Sequence, residues 1–139
     1  MKKSGYATPL AAEEAFYAAF ERADAEAMRE VWAQGDDIEC IHPLGARLRG
    51  AGVHDGWREM FADSERLAFH LSERRVLEQG ALTVHLVLEN ILFPDGKAEP
   101  LQILATNVYR RDRDGWRMVM RHASPAPITS PNTARGAVH

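Results

Sequence analysis

The sequence predicts an α+β fold in which helices come first and an antiparallel sheet follows. Between residues 12 and 61, most apolar residues recur at spacings of three and four, which is typical of amphipathic helices. From residue 67 onward they alternate with polar residues, as in strands that bury one face. Helices followed by a run of strands is the order of an α+β domain.

Three helices are expected in the first half. The first opens at Thr8 and Pro9, the second is capped by Asp24, and the third follows Gly50. Their apolar positions are Ala12, Phe16, Ala19, Phe20 and Ala23, then Met28, Val31 and Trp32, and then Val53, Trp57, Met60 and Phe61. These positions predict one buried face for each helix.

One short strand and a four-stranded meander complete the prediction. The short strand runs from Ile38 to His42 and stops at Pro43. The meander covers the alternating runs that start at residues 67, 81, 101 and 116, and its last two strands form a long hairpin around Gly115. By alternation, Asn107 and Tyr109 share one face, and the partner strand presents Trp116, Met118, Met120, His122 and Ser124 on a single face. These polar groups predict a pocket.

Composition limits the domain count and the partners. A chain of 139 residues with 45% hydrophobic residues is expected to form one domain, residues 12–127, between a flexible N-terminus, 1–11, and a flexible tail, 128–139. The net charge of -3 argues against nucleic-acid binding. No segment approaches 18 apolar residues and no apolar run follows Lys3, so neither membrane insertion nor a secretory signal is expected and the protein is expected in the cytoplasm.

Metal and cofactor binding are not expected. The sequence contains no His-x-x-x-His or Cys-x-x-Cys pair and no Gly-rich phosphate loop. Cys40 is the single cysteine, and its apolar strand favours a buried structural thiol.

The segment from Asn107 to Pro127 resembles the terminal hairpin of the nuclear transport factor 2-like superfamily. That superfamily includes ketosteroid isomerases, SnoaL-type polyketide cyclases and the association domain of calcium/calmodulin-dependent kinase II. The resemblance spans roughly residues 12–127. It implies a cystatin-like, cone-shaped architecture, in which a curved antiparallel or mixed sheet wraps around the N-terminal helices and leaves an apolar cavity with a few polar groups.

The resemblance also implies roles for single residues. His42, before Pro43, stands where ketosteroid isomerases carry an acidic general base. Asn107 stands where they carry a protonated Asp that donates to the oxyanion, and Phe16 where they carry the oxyanion Tyr. In the kinase association domain, the positions that match Val87 and Asn107 carry pocket arginines. The resemblance therefore implies that the face of His85, Val87 and Glu89 lines the cavity, without that basic lining.

The residues themselves leave alternatives open. A neutral imidazole has a reference pKa of about 6.5 and suits proton transfer, so His42 is either a general base or a strand-end residue bonded to backbone. His122 is either a second acid/base group or a core histidine. Asn107 and Tyr109 either orient a substrate carbonyl or bond across the hairpin. Glu89 lies in an apolar run, so it must be paired, raised in pKa or exposed at an edge.

Aromatic residues are the expected walls of a binding site. The substrate-binding candidates are Phe16, Trp32, Trp57, His85, Val87, Glu89 and Trp116. Large aromatic residues at helical spacing equally suit a core. His70 faces either the cavity or solvent.

Two functions follow. The first is a cofactor-independent isomerase, cyclase or dehydratase that acts on a small hydrophobic carbonyl compound, with His42 as base and Asn107 with Tyr109 as oxyanion donors. The alternative is a non-catalytic ligand-binding or homo-oligomeric assembly domain with a vestigial pocket. A homodimer is expected in both, because apolar residues also fall on the opposite face of the sheet: Leu86, Leu88, Leu104, Val108 and Val119.

Overall fold

The computed structural model describes residues 4–96 and 98–127. The helices are α1 (Pro9–Arg22), α2 (Ala25–Val31) and α3 (Ala51–Ala62), and the strands are β1 (Glu39–Ile41), β2 (Arg47–Arg49), β3 (Ala68–Gln79), β4 (Leu82–Leu92), β5 (Leu101–Asp112) and β6 (Gly115–Pro125). The α+β class and the predicted helices are confirmed. The tail that was expected to be flexible, 128–139, lies outside the described residues.

The strands form one curved, unclosed sheet in the order β2-β1-β6-β5-β4-β3. The meander β3 to β6 is antiparallel, and β1 pairs parallel with β6, so the sheet is mixed. The predicted curved sheet around N-terminal helices is confirmed. Strand β2 was not predicted, because Arg-Leu-Arg has a single apolar residue and is too short to show alternation.

Local signals fix the helix ends. The Thr8 hydroxyl accepts a hydrogen bond from the Ala11 amide at 3.0 Å, and the Asp24 carboxylate accepts one from the Ala27 amide at 3.0 Å. The chain is also ordered before α1, because the Gly5 amide donates to the Asp114 carbonyl at 2.9 Å and Tyr6 forms a bridge with Trp116. Contacts with the β5–β6 hairpin therefore begin at Gly5, before α1.

The helices pack on the concave face of the sheet through aromatic rings. Phe16 and Phe20 of α1 contact Trp57 of α3, with ring centroids 5.6 and 5.0 Å apart. Phe61 and Phe69 extend this cluster. The apolar core therefore lies between the helices and the sheet, at the end of the cone that α3 covers.

A bulge in β6 changes which of its side chains face inward. Val108 lies opposite Met120 and Tyr109 lies opposite Met118, so Val119 is an extra residue. Beyond this bulge, Arg121 and Ala123 are buried whereas His122 and Ser124 are exposed. The predicted single face from Trp116 to Ser124 is therefore wrong after Met118.

A second bulge lies in β3. Ser72 pairs with Leu88 and Arg75 with Leu86, so Glu73 and Arg74 together oppose one residue of β4. Glu73 has a φ of 52°, in the left-handed region, which marks the local distortion.

In the part of the chain that the structure describes, no helix is both long enough and apolar enough to cross a membrane.

Candidate functional site

Four polar side chains form a hydrogen-bonded cluster inside the cone, which we call the inner network: Tyr17, Glu89, Asn107 and Arg121. Arg121 donates from Nη1 to Glu89 Oε2 at 2.6 Å and from Nη2 to Glu89 Oε1 at 3.2 Å. Arg121 Nη1 also donates to Asn107 Oδ1 at 3.2 Å. Asn107 Nδ2 donates to the Tyr17 hydroxyl at 2.9 Å, and that hydroxyl donates to Glu89. Each side chain is bonded to at least two others.

Strand register brings these groups together. His85 of β4 lies opposite Asn107 of β5, which lies opposite Arg121 of β6. His85, Val87 and Glu89 are successive inward positions on the same face of β4. Tyr17 reaches the cluster from α1, which covers the concave side.

The inner network is buried, so its charges must compensate one another. Glu89 and Asn107 are fully buried and Arg121 is 2% exposed. A buried carboxylate without a cation is strongly unfavourable, and the bidentate guanidinium supplies one. The rings of Phe16 and Phe20 lie 5.1 and 5.7 Å from the Arg121 guanidinium carbon, which adds cation-π contacts. Burial raises the pKa of Tyr17, so it stays a neutral donor.

A second cluster, the rim network, consists of Glu13, Arg74 and His85. Arg74 Nη2 lies 2.5 Å from Glu13 Oε2, and His85 Nδ1 lies 2.9 Å from Glu13 Oε1. Glu13 is 1% exposed. Burial by itself would raise the pKa of Glu13, but hydrogen bonds from His85 and Arg74 lower it overall. Glu13 is therefore an ionised carboxylate that holds His85 in one orientation.

A groove of about 480 Å³ opens between α1 and β3. Its lining combines apolar side chains with members of both networks: Leu10, Glu13, Glu14, Tyr17, Ala18, Glu21, Phe69, Leu71 and Arg74. The groove gives small molecules access to Tyr17 of the inner network and to Glu13 and Arg74 of the rim network.

Tyr109 is buried beside the rim network. It is fully buried, and its ring lies 4.9 Å from the His85 ring. Among the described residues its hydroxyl has no hydrogen-bond partner, and burial raises its pKa. Tyr109 thus retains an unused neutral donor, whereas the Asn107 amide already donates to Tyr17.

His42 lies apart from both networks. It follows β1, and its ring packs edge-on against Trp57 with centroids 4.7 Å apart. Its Nε2 lies 4.0 Å from Cys40 Sγ. Burial, followed by the positive charge of Arg121, lowers the pKa of His42 to about 4. Within the described residues, no hydrogen bond joins His42 to Asn107, Tyr109 or Glu89.

The position expected for His122 inside the pocket is wrong. The Val119 bulge turns its exposed side chain to the outer face, where it lies opposite Thr106. The same bulge brings Arg121 inside, so the interior holds a basic residue at a position other than those of Val87 and Asn107. Glu89 carried the signal that could have identified Arg121, because a carboxylate in an apolar run requires a cation.

The other candidates lie in the networks, in the core or at the surface. His85 and Glu89 belong to the networks. Phe16, Trp32, Trp57 and Val87 are 0% or 1% exposed and belong to the core. Trp116 is 8% exposed and lies 5.7 Å beneath the Arg111 guanidinium. Neither the core residues nor Trp116 line the groove.

His70 is exposed, so it faces solvent. Tyr17 was passed over because its neighbour Phe16 matched the family's tyrosine position.

A family model described as a SnoaL-like domain matches residues 10–129. A protein from Thiobacillus denitrificans ATCC 25259, provisionally assigned as a calcium/calmodulin-dependent protein kinase type II association domain, is 45% identical, with a TM-score of 0.84 over 90% of this chain and 100% of that one. A Streptomyces avermitilis protein, provisionally assigned as a dehydratase of the NTF2-like family, is 32% identical, with a TM-score of 0.77 over 84% and 92% of the two chains.

A Parabacteroides distasonis protein, provisionally assigned as a ketosteroid isomerase, shares the fold at 16% identity, with a TM-score of 0.70 over 91% of this chain and 97% of that one. No curated protein matches the sequence significantly. The predicted resemblance to SnoaL-like and nuclear transport factor 2-like proteins is confirmed.

Arg121→Met should destabilise the fold, because it leaves the buried Glu89 carboxylate without a cation. The expected loss is about 3 to 5 kcal/mol in the free energy of unfolding, measured by urea denaturation. Adding Glu89→Met should recover most of this loss. Arg47→Gln, which breaks the exposed pair with Glu39, is the control and should change little. A double variant as unstable as Arg121→Met would contradict the assigned role of the pair.

Proposed function

We infer the function of this chain from two premises: it belongs to the SnoaL-like domain family, and the groove between α1 and β3 is lined by members of both polar networks. We propose that the chain is a small-molecule binding domain and that its ligand occupies this groove. This proposal rests on the lining of the groove, which combines apolar side chains with groups from both networks.

The groove has the size and composition of a small-molecule site. A volume of about 480 Å³ lies within the usual range of about 300 to 1,000 Å³ for ligand pockets. Leu10, Phe69 and Leu71 offer an apolar surface, and the ring of Tyr17 lies 5.1 Å from that of Phe69. We therefore propose a ligand with an apolar body and one polar end, the latter directed at Glu13 and Arg74.

The bonding of the interior supports binding over catalysis. A general base needs a free lone pair within reach of the substrate. The Glu89 carboxylate is held by Arg121 and Tyr17, and the Glu13 carboxylate is held by Arg74 and His85. Because both carboxylates are already bonded, neither is available as a general base, which favours ligand binding as the function.

Ala18→Phe should block the groove, because Ala18 lines it and a phenyl ring would occupy the ligand's space. The ligand is first identified by a thermal-shift screen of compounds with an apolar body and a polar end. At a ligand concentration of 100 times Kd, the free energy of unfolding of the wild type should rise by about 2.7 kcal/mol. The free energy of unfolding of Ala18→Phe should not rise. Ala11→Phe, about two turns away on α1 and outside the groove's lining, is the matched control and should bind normally. Equal binding by Ala18→Phe would place the ligand elsewhere.

We also propose that two copies of the chain pack through the outer face of the sheet. Leu77, Leu86, Leu104 and Met120 lie on this face, and each is at least 38% exposed. An apolar surface of this kind on a single chain is typical of an interaction site. A second copy would cover it with the same apolar surface.

Leu86→Glu should convert the dimer to a monomer, because the new carboxylate would be buried in the interface without a partner. Size-exclusion chromatography with light scattering should give twice the chain mass for the wild type and the single chain mass for the variant. Leu44→Glu adds the same charge at a loop residue that is 95% exposed, and it should stay dimeric. A monomeric wild type would rule out this interface.

Catalysis is the second candidate function, and the relative provisionally assigned as a dehydratase favours it. In this version His42 removes a proton next to a carbonyl, and Asn107 and Tyr109 stabilise the resulting oxyanion. The lowered pKa of His42 keeps its imidazole neutral at pH 7, as a base must be, but makes it a weak base. The free hydroxyl of Tyr109 supports the donor role.

The pH dependence of turnover tests this candidate. Because the pKa of His42 is about 4, kcat/KM for a carbonyl substrate should stay constant from about pH 8 to pH 5 and fall only below about pH 4. His42→Ala should reduce turnover by about 10²-fold or more. His122→Ala, which removes an exposed histidine from the outer face, is the control and should leave it unchanged. Unchanged turnover in His42→Ala would eliminate His42 as the base.

A further inference from the structure

A second pocket, separate from the groove, lies between α2 and α3. It has a volume of about 170 Å³ and is lined by Ala25, Glu26, Met28, Arg29, His54, Trp57 and Arg58. This volume is below the usual range for drug-sized ligands, which starts at about 300 Å³. The pocket is therefore sized for a small ion or for a single functional group.

Both helices present the same kind of face to this pocket. On α2 the spacing i, i+3, i+4 brings Met28 and Arg29 beside Ala25. On α3 the same spacing brings Trp57 and Arg58 beside His54. Each helix thus contributes one large buried side chain and one arginine. Met28 is fully buried and Trp57 is 1% exposed, so they form the floor below two guanidinium groups.

Several hydrogen-bond donors on the residues that line this pocket are unused. Within the described residues, the Arg29 guanidinium forms no ion pair and the His54 ring no hydrogen bond. The indole Nε1 of Trp57 is buried and has no hydrogen-bond partner in the described part of the chain. A buried donor without an acceptor is unfavourable, and an acceptor inside the pocket would satisfy it.

One of the charged groups around the pocket favours an anion. Arg29 and Glu26 come from α2, and Arg58 and Asp55 come from α3. Asp55 is paired with Arg58, and Glu26 is exposed. With Asp55 included, the two arginines balance the two carboxylates, so net charge does not select an anion. The group that favours an anion is Arg29, the arginine of this set that has no ion pair among the described residues.

We propose that this pocket binds a small oxyanion, held by the Arg29 guanidinium, the His54 ring and the Trp57 indole N–H. The oxygens of a tetrahedral oxyanion or a carboxylate would accept from these donors in the space between the helices. Arg58, at the rim, would add a second positive charge. The site is independent of the groove, so it stands or falls separately from the proposed small-molecule binding.

Binding should strengthen as the pH falls. Burial, together with the positive charges of Arg29 and Arg58, lowers the pKa of His54, while Asp55 acts in the opposite direction. His54 is therefore neutral at pH 7 in the free protein. An anion in contact with the ring favours its protonated form, so the complex takes up a proton and its affinity rises toward acidic pH.

Sulfate is the probe for this site, because its charge stays constant between about pH 5 and pH 8, so any pH dependence comes from the protein. The readout is the indole N–H resonance of Trp57 in the ¹⁵N-¹H spectrum of the full chain, titrated with sodium sulfate at an ionic strength kept constant with sodium chloride. We expect a saturable shift of this resonance, with tighter binding at pH 5.5 than at pH 8. Sodium chloride alone should not reproduce it.

Three variants complete the experiment. Arg29→Gln should weaken sulfate binding about tenfold, the effect of losing a hydrogen bond to a charged group. Arg66→Gln makes the same charge change at an exposed arginine outside the pocket and should bind as the wild type does. His54→Gln should abolish the pH dependence.

Two results would overturn the proposal. One is a Trp57 resonance that does not move up to about 100 mM sulfate, far above the range of a specific site. The other is equal weakening in Arg29→Gln and Arg66→Gln, which would mean that sulfate responds only to net charge. Both substituted arginines are exposed, so the variants should fold, and the dispersion of each spectrum verifies this.

Discussion

The ion pair between Glu89 and Arg121 constrains the rest of the structure. Glu89 is fully buried in the middle of β4, so every arrangement of the sheet must bring a cation to it. Arg121 is inward only because Val119 is an extra residue in β6, since unbroken alternation from Met118 would bury Met120 instead. The bulge and the ion pair therefore depend on each other. This dependence fixes the register of β6 against β5 and, through the parallel pairing, the position of β1.

The same pair limits which groups would be available to the proposed ligand. In the pattern of ketosteroid isomerases, a cone cavity holds free acidic groups, but here Glu89 is already bonded to Arg121 and Tyr17. Asn107 likewise both donates and accepts within the network. Polar groups that satisfy one another leave few bonds for a substrate at the centre of the cone. This agrees with the proposal that a ligand occupies the groove beside α1, which is lined by members of both networks.

Periodicity in the sequence was sufficient for the class of fold but not for the site. The helices and the meander follow from the change of apolar spacing near residue 67, and Glu89 was identified as a carboxylate that needed a partner. The assignment of His122 to the interior failed because a bulge reverses alternation without leaving a Gly or Pro in the sequence as a marker. Tyr17 was missed because Phe16 was matched to the family's tyrosine position, whereas α1 buries both Phe16 and Tyr17.

Each of the two bulges brings an arginine to a buried carboxylate, but the two arginines differ in exposure. The bulge in β6 brings Arg121 to Glu89, and the bulge in β3 brings Arg74 to Glu13. Arg121 is 2% exposed and cannot leave without stranding a buried charge, so its role is structural. The side chain of Arg74 is 38% exposed at the wall of the groove, where water can solvate it if it moves away from Glu13. A ligand in the groove could therefore displace Arg74 from Glu13, but it could not displace Arg121 from Glu89. Movement of Arg74 would in turn change the hydrogen bonding of Glu13 and His85.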